Sequence, residues 1–568
     1  WMSEKDYQET EKVIKNILIK TYKGKSEYKN LMIEDVIYVD IFCKSMIYYS
    51  SVHFLQATQQ ENIGLMMKSL DEIDDIITFM DNNRYIFIQD SQSEFEKNSF
   101  INAYKLKVDI CANLYNRTND PKYLENAFDV SEKARSQAFI SEAGAQIISK
   151  LNNPKMKDMN GAQYAFISNK SQIELETGNG LERGLKIKGG SKNSEILATE
   201  LQYTQQKYNE LVNTLKDDKS SQLIDINTLS LSSIQNILES DETIMNYYVS
   251  SNNCYLFIIH KDKTSLITIA ESYAQISNLI DQYRAQIMDY NSLAYKTNSQ
   301  SLYNLLVKPV ENEIKNKNLI IIPSGKLNNL PFATLHNQSE FLLENHIICQ
   351  LPNISLIQFI NLKKQMPSQM SVFAIGNPDN PIASRLPGTE TEVRKIQELI
   401  PNSSFVLGLE SNRSRIMKEM ENKTILHFAT HGLFEPEYPL LSGLILSPEH
   451  QKDDGILRLF EIYNLNLSET RLVVLSACET GLAKIKQNDD VIGLVRGFFF
   501  AGASNIIASL WQVSDTATSE LMIAFYQNLN SGKSMSKSIQ NAQLSLIAKP
   551  ATTHPYYWGA FNLYGFAH

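Results

Sequence analysis

Near residue 240 the hydrophobic pattern changes its period, and this change constrains the fold more than any other feature of the sequence. Before it, apolar residues recur at helical spacing, as in Ile63, Leu65, Met66, Leu70, Ile73, Ile76 and Ile77, and no proline precedes Pro121. After it, short apolar runs alternate with helical patterns. The runs are Thr243–Val249, Tyr255–His260, Leu319–Ile322, Val372–Ile375, Ile425–Ala429, Leu472–Ala477 and Asn505–Leu510. Most are continuous, as suits strands buried on both faces of a mostly parallel sheet. One interposed helix is expected to open at Thr389. There Glu392, three residues on, reads as half of a capping box, and Val393, Ile396, Leu399 and Ile400 form the apolar face. The pattern predicts an α + α/β multidomain chain, with an N-terminal α-helical array followed by a three-layer α/β/α sandwich. Sites in such sandwiches lie at the carboxyl ends of the strands.

Length supports more than one unit, since 568 residues exceed the roughly 250–300 that a single core accommodates. A formal net charge of −9 argues against an overall electrostatic grip on nucleic acid, so none is expected as a direct partner. No stretch reaches the ~18 uncharged apolar residues of a membrane span. The most apolar region, GLVRGFFFAGASNIIASLW, is interrupted by Arg496 and small residues, so no membrane partner is expected either. Five scattered cysteines without a CxxC pair indicate neither a disulfide framework nor a zinc ribbon. They suit a reducing, cytoplasmic setting, and no metal or other cofactor is expected. The chain opens Trp1–Met2, as a fragment would, so the lack of a signal peptide carries little weight.

Four regions follow. Residues 1–150 form the helical array, and its clearest part is 114–140, LYNRTNDPKYLENAFDVSEKARSQAFI, a helix–loop–helix in which Ala127 and Ala134 sit seven apart. Small residues there allow close helix contact, and the segment resembles the second helix of a tetratricopeptide repeat, although Ser131 stands where an aromatic residue is usual. A plain helical bundle is the competing reading. Residues 151–235 hold a loop, 176–193, with five glycines and the basic residues Arg183, Lys186, Lys188 and Lys192. That loop reads as exposed and protease-accessible, and 195–217 as one linker helix. Residues 236–410 and 411–568 are the two halves of the α/β part.

Two strand ends carry chemistry. ILHFATHG puts His431 and Gly432 just past one strand, and LVVLSACETG puts Cys478 just past another. If the strands are parallel neighbours, both side chains emerge at one edge of the sheet. A thiol has a pKa of about 8.5 and becomes a useful nucleophile when an imidazole stands beside it. The amides of Gly432 and Cys478 would then face a developing oxyanion, and glycine lets the main chain approach closely. Taken singly, such a cysteine is usually a buried hydrophobe and such a histidine a satisfied core residue. The 47 residues between His431 and Cys478 approach the roughly 50 typical of caspases.

FATHG, SACETG, GLVRGFFFAGASNIIASLWQVSD and the closing YYWGAFNLYG resemble the CHAT family, caspase-like cysteine proteases of the clan of caspases, gingipains and separase. LIIIPSGKLNNLPFATL and RLPGTETEVRKI are similar to the family's non-catalytic half, and SEKARSQAF to the repeat helix that often precedes it. The resemblance covers roughly 125–568. It implies a caspase-like fold for the sandwich, with His431 as general base, Cys478 as nucleophile and Gly432 as an oxyanion donor through its amide. It also implies that Asp515, in LWQVSD, lines an S1 pocket and pairs with a basic P1 residue, as in separase-like members. Asp515 equally suits the N-cap of a helix over Thr516–Leu529. Glu479, Asp489 and Asp490 are further acidic candidates, and Arg496 is expected in packing.

The remaining candidates are weaker. His427 precedes His431 by four residues, but on a strand that spacing spans ~13 Å, which argues against a metal pair. His260, His336, His346, His450 and His554 have no partner pattern and read as structural. GLAKIKQNDD, after Cys478, occupies the place of a caspase activation loop, and Lys484 and Lys486 make self-cleavage conceivable. The expected function is a cysteine endopeptidase acting on a protein substrate, with a possible protein regulator held by the concave helical array. A catalytically silent scaffold is the competing class, and a defence or cell-death effector activated by a partner is a third.

Overall fold

Among the described residues, five α-helices build the N-terminal part: α1 (Glu4–Thr21), α2 (Val39–Gln59), α3 (Ile63–Asn82), α4 (Glu94–Thr118) and α5 (Pro121–Ser149). The computed structural model describes residues 4–23, 31, 33–83, 94–149, 229–251, 253–358, 366–367, 369–434, 442–450, 453–476, 493–511 and 513–566, with backbone alone at 4–5, 94–99 and 136–149. The expected loop at 176–193 and helix at 195–217 lie outside these residues. The helices pair antiparallel by sequence order, and small residues set their spacing. Ser50 of α2 and Ser69 of α3 each donate a hydroxyl to the other's carbonyl, both at 2.8 Å. The expected helix–loop–helix is the α4–α5 turn. Ala127 and Ala134 are buried, as is Ser131, whose hydroxyl bonds back to Phe128 O at 2.7 Å.

After a short helix, α6 (Leu231–Ile237), the chain enters an eleven-stranded sheet. Its strands are β1 (Glu242–Val249), β2 (Cys254–Ile259), β3 (Thr264–Thr268), β4 (Asn318–Ile322), β5 (Ile348–Gln350), β6 (Val372–Pro378), β7 (Ser403–Gly408), β8 (Ile425–Ala429), β12 (Leu472–Leu475), β13 (Ile506–Ser509) and β14 (Phe561–Tyr564). β9 (Gly432–Leu433), β10 (Gly443–Ile445) and β11 (Ile456–Arg458) form a separate antiparallel sheet. The order in the large sheet is β3-β2-β1-β4-β5-β14-β13-β12-β8-β6-β7. All seven expected strands are present, within two residues at each end except that β6 runs on to Pro378, three residues past the expected Ile375. The pairs β1–β4, β12–β13, β8–β12, β6–β8 and β6–β7 are parallel, and β1–β2, β2–β3 and β13–β14 are antiparallel.

Alternate strand residues go to opposite layers, as the pleat requires. Ile320, Ile322, Phe373, Ile375, Leu426, Phe428, Val473 and Leu475 join the helical array and α10 (Gly493–Ala501) in one core. Leu319, Ile321, Val372, Ile425, Leu472 and Val474 face the other core with α7 (Tyr273–Met288), α8 (Tyr295–Leu306), α11 (Asp515–Asn530) and α12 (Met535–Ile547). The chain therefore forms the expected helical array followed by an α/β/α sandwich, and the array itself lies against one sheet face.

Side-chain contacts among the described residues join array and sheet, including an Asn116 Nδ2 bond to Thr268 Oγ1 at 3.2 Å. Phe128 meets the Phe257 ring edge-on at 5.7 Å between centroids. Tyr255 donates its hydroxyl to Asp109 at 2.5 Å, and Asn253 Nδ2 adds a second bond to the same oxygen at 3.1 Å. Arg135 reaches from α5 to β1, donating to Asn246 Oδ1 at 2.6 Å and to the Tyr247 carbonyl, while Glu132 lies 3.2 Å from the same guanidinium.

Candidate active site

β8 and β12 are parallel neighbours, with Phe428 paired to Leu475, so both release their chains at one edge of the sheet. Beyond β8 the chain passes Thr430, whose hydroxyl donates to the Ile445 carbonyl, and reaches His431, which is half-buried. Cys478 lies outside the described residues, as do Glu479, Lys484, Lys486, Asp489 and Asp490.

His431 is oriented by main chain. Its Nε2 is 2.8 Å from the Ser384 carbonyl oxygen and 3.5 Å from Ser384 Oγ. A carbonyl only accepts, so Nε2 carries the proton and Nδ1 is the remaining nitrogen. The segment holding Ser384 is itself pinned at both ends. Asn377 accepts from Leu386 N at 2.7 Å through Oδ1, and donates to Glu390 at 2.7 Å. Asn380 donates to the Leu446 and Asp454 carbonyls at 2.6 and 2.9 Å, and Asp379 N donates to Ser447 Oγ at 2.8 Å.

Gly432 pairs with Leu444 across β9 and β10, and Ile445 N donates to His431 O at 2.9 Å. That pattern makes Gly432–Leu444 a non-hydrogen-bonded pair, so the Gly432 amide points away from β10, toward the open side of an edge strand.

Beside this edge lies a small, partly open cleft. One wall is Leu386, Thr389 and Glu392, from the start of α9 (Pro387–Leu399). Ser476 and Ser509 come from the ends of β12 and β13, and Trp511, Asp515 and Thr518 complete the lining. Trp511 is held by its indole N–H on the Tyr556 carbonyl at 3.0 Å and by the Arg284 guanidinium, 5.4 Å above its ring. Burial lowers the Arg284 pKa to about 10, and its two nitrogens donate to Asn329 O and Leu510 O at 2.9 and 3.2 Å.

Asp515 is half-buried and stands against α9, where a Cβ on Gly388 would come within 2.7 Å of the Asp515 Cβ. It does not cap its helix. Ser514 does, accepting from Ala517 N at 3.4 Å, and Asp515 is the first helical residue, free to face the cleft.

The expected capping box at Thr389–Glu392 is absent. Pro387 starts the helix two residues earlier, Thr389 Oγ donates to Leu386 O at 2.7 Å, and no side chain caps Leu386. Glu392, 1% exposed, turns inward and lies 2.8 Å from His427 Nε2. Tyr526 OH is 3.0 Å from His427 Nδ1. Burial, reinforced by Glu392, pushes the Tyr526 hydroxyl well above the usual phenol range, so it donates to Nδ1, while Nε2 faces Glu392 Oε1 at ion-pair distance and neither of those two atoms has a hydrogen-bond partner among the described residues. His427 is thus a core residue, packed between Tyr526 and Glu392. Among the described residues no group of three or more histidines, cysteines and carboxylates could hold a metal ion, and no helix is long and apolar enough to cross a membrane. Arg496 is buried, as its setting predicts. His260, His346 and His554 bond Thr243 Oγ1, Lys317 O and Ser292 O at 2.9, 2.8 and 3.0 Å.

Ser384, Ser476, Trp511 and Glu392 escape a reading of the sequence alone. Ser384 acts through its backbone carbonyl, which any residue supplies. Glu392 leaves a trace, because it falls on the same stripe as the buried Thr389, Val393 and Ile396.

A helical array against an α/β/α sandwich, with a histidine at the carboxyl edge of the sheet and an acidic cleft beside it, defines the general class. Residues 296–566 match the family model of the CHAT domain. Tetratricopeptide repeat protein 28 of Homo sapiens is 27% identical across 47% of this chain, and that of Mus musculus is 26% identical across 48%. The chain spans 13% of the length of either protein. Among solved structures, the Saccharomyces cerevisiae separase–securin complex matches at 10% identity and TM-score 0.42, covering 99% of this chain and 48% of that one. The Arg-specific cysteine proteinase gingipain R matches at 10% identity and TM-score 0.33, covering 52% of this chain and 74% of that one.

Proposed function

We propose that the chain is a caspase-like cysteine endopeptidase in which Cys478 is the nucleophile, His431 the general base and the Gly432 amide an oxyanion donor. One observation carries the reading. Cys478 follows Leu475 by three residues, as His431 follows Phe428, and Leu475 and Phe428 are paired across a parallel ladder. Neighbouring strands are about 4.8 Å apart, so a chain that left β12 as β8 is left would bring the two residues within side-chain reach. The Ser384 carbonyl supports Nδ1 as the basic atom, because it engages the Nε2 proton.

In this reading Nδ1 takes the Sγ proton, and the thiolate attacks the scissile carbonyl carbon. The carbonyl electron pair moves to oxygen, facing the Gly432 N–H. The C–N bond then breaks, the leaving nitrogen takes the proton from Nδ1, and an acyl thioester remains. Nδ1 next deprotonates water, which attacks the thioester and releases the acid and the thiol. Asp515 in the cleft supports a basic P1 residue. The array supplies a surface for a protein regulator or for the protein substrate, and a cytoplasmic defence role belongs to the same proposal.

The test is cleavage of fluorogenic peptides with Arg, Lys, Asp or Leu at P1 by wild type and by Cys478→Ala. Cleavage after Arg or Lys by wild type alone is expected. Cleavage after Asp would remove the pocket role of Asp515, and equal turnover by Cys478→Ala would remove the mechanism. Loss of thiol labelling by a peptide chloromethyl ketone in His431→Ala would separate a functioning dyad from a silent scaffold.

A further inference from the structure

Glu392 has an unusual position for a buried carboxylate, because it lines an open cleft while being 1% exposed. Taking a carboxylate out of water costs several kcal/mol unless donors replace the solvent. An ionised carboxylate accepts about four hydrogen bonds. Among the described residues Glu392 Oε1 has no hydrogen-bond partner, and the His427 imidazole, which is not part of the cleft lining, stands beside it only at an ion-pair distance of 2.8 Å. The Ser476 hydroxyl, also lining the cleft and 7% exposed, has no hydrogen-bond partner among the described residues. The inner end of the cleft therefore presents acceptors that the protein leaves unmatched.

The two carboxylates share one wall. Gly388 abuts Asp515, and Glu392 lies four residues further along α9, about 6 Å up the same helix face. Asp515, half-buried, is the outer group and Glu392 the inner one.

We propose that Glu392 is a specificity-determining residue, forming with Asp515 a two-carboxylate seat that takes a guanidinium in preference to an ammonium. This rests on reading the cleft as the P1 pocket. A guanidinium spreads five donors over a rigid plane and can bond two acceptors at different levels together with the Ser476 hydroxyl. An ammonium is a compact point charge with three donors, and it engages one carboxylate at a time. His427 and Tyr526 are positioning residues, since they fix the Glu392 carboxylate from behind without reaching the cleft lining.

The test uses three fluorescein-labelled hexapeptides ending in arginine, lysine or citrulline, the neutral isostere of arginine. Their binding to the full chain carrying Cys478→Ala is read by anisotropy, so no turnover is needed. The arginine peptide is expected to bind at least about tenfold tighter than the lysine peptide, and both tighter than citrulline. Adding Glu392→Gln should bring arginine and lysine within about threefold of each other while Asp515 keeps both above citrulline. An unchanged arginine-to-lysine ratio in Glu392→Gln overturns the proposal and leaves the basic pocket standing. Equal binding of all three peptides by the parent protein overturns both. If Glu392→Gln fails to fold by circular dichroism, Tyr526→Phe, which removes only the hydroxyl behind His427, reads the same ratio. There the ratio should fall about threefold, and an unchanged ratio again overturns the proposal.

Discussion

Replacing Arg135 by methionine should weaken the whole molecule, because this side chain joins the array to the sheet inside the core. The Arg135 and Glu132 side chains are 3% and 0% exposed. Loss of the guanidinium leaves Asn246 Oδ1 and the Tyr247 carbonyl without their donor, and leaves Glu132 with Asn246 Nδ2, at 3.1 Å, as its nearest donor. Each stranded acceptor costs about 1–3 kcal/mol, and breaking a buried ion pair on one side about 3–5 kcal/mol in all. Arg135→Met should therefore lose about 3–5 kcal/mol, whereas Glu132→Leu/Arg135→Met should recover most of that, since no charge remains buried. Guanidinium chloride unfolding, followed by tryptophan fluorescence from the α/β part and by far-ultraviolet circular dichroism, measures both. Because one hydrophobic core runs from the array across a sheet face, the two signals should move together. A loss below about 1 kcal/mol, or a double variant as weak as the single one, would refute the argument from buried charge.

Asp109 offers a pH test of the same junction. Burial raises its pKa, with Tyr255, Ser250 and Asn253 opposing. A folded-state pKa above the unfolded value, near 3.9, means a contribution fully present below that value and lost as pH rises through the folded one. Asp109→Asn should thus be at least as stable as wild type at pH 8 and show a flatter pH dependence above pH 4, read by thermal melts at fixed ionic strength. A variant clearly weaker at pH 8 would contradict the sign. Gly443→Ala would drive a methyl group against the Leu457 carbonyl in the sheet that carries Gly432, so it should cost about 1–3 kcal/mol and lower peptide turnover more than binding. Unaltered stability and kcat would count against a rigid β9–β10–β11 support. Burial raises the thiol pKa of Cys43, Cys111, Cys254 and Cys349, to about 12 for Cys111 and Cys254. Native iodoacetamide labelling read by mass spectrometry should therefore modify Cys478 well before those four, and early modification of any of them would overturn the assignment of Cys478 as the activated thiol.

The parts of this fold that a reader of the sequence can see are those where one physical term dominates. β1, β4, β8 and β12 are buried along nearly their whole length, so apolarity alone marks them. β3 and β7 are edge strands with half-exposed, serine- and threonine-bearing sequences, and β5 has three residues, so their pairing rests on neighbours and leaves little local trace. His431 and Gly432 stand out because they follow a buried strand directly. Glu392 is misread because a local rule and a tertiary one compete for it. Three residues after a threonine, glutamate suits a capping box, but Pro387 moves the helix start and the inward stripe claims the carboxylate. Had the box formed, Glu392 would turn back to the first turn of the helix, and the wall of the cleft would hold Asp515 alone. The same helix start puts Gly388 against Asp515 and draws Leu386 N to Asn377, which tethers the Ser384 carbonyl to His431. One proline thus couples the acidity of the cleft to the orientation of the imidazole, so a Pro387→Ala chain that altered only one of the two would show that they are set separately.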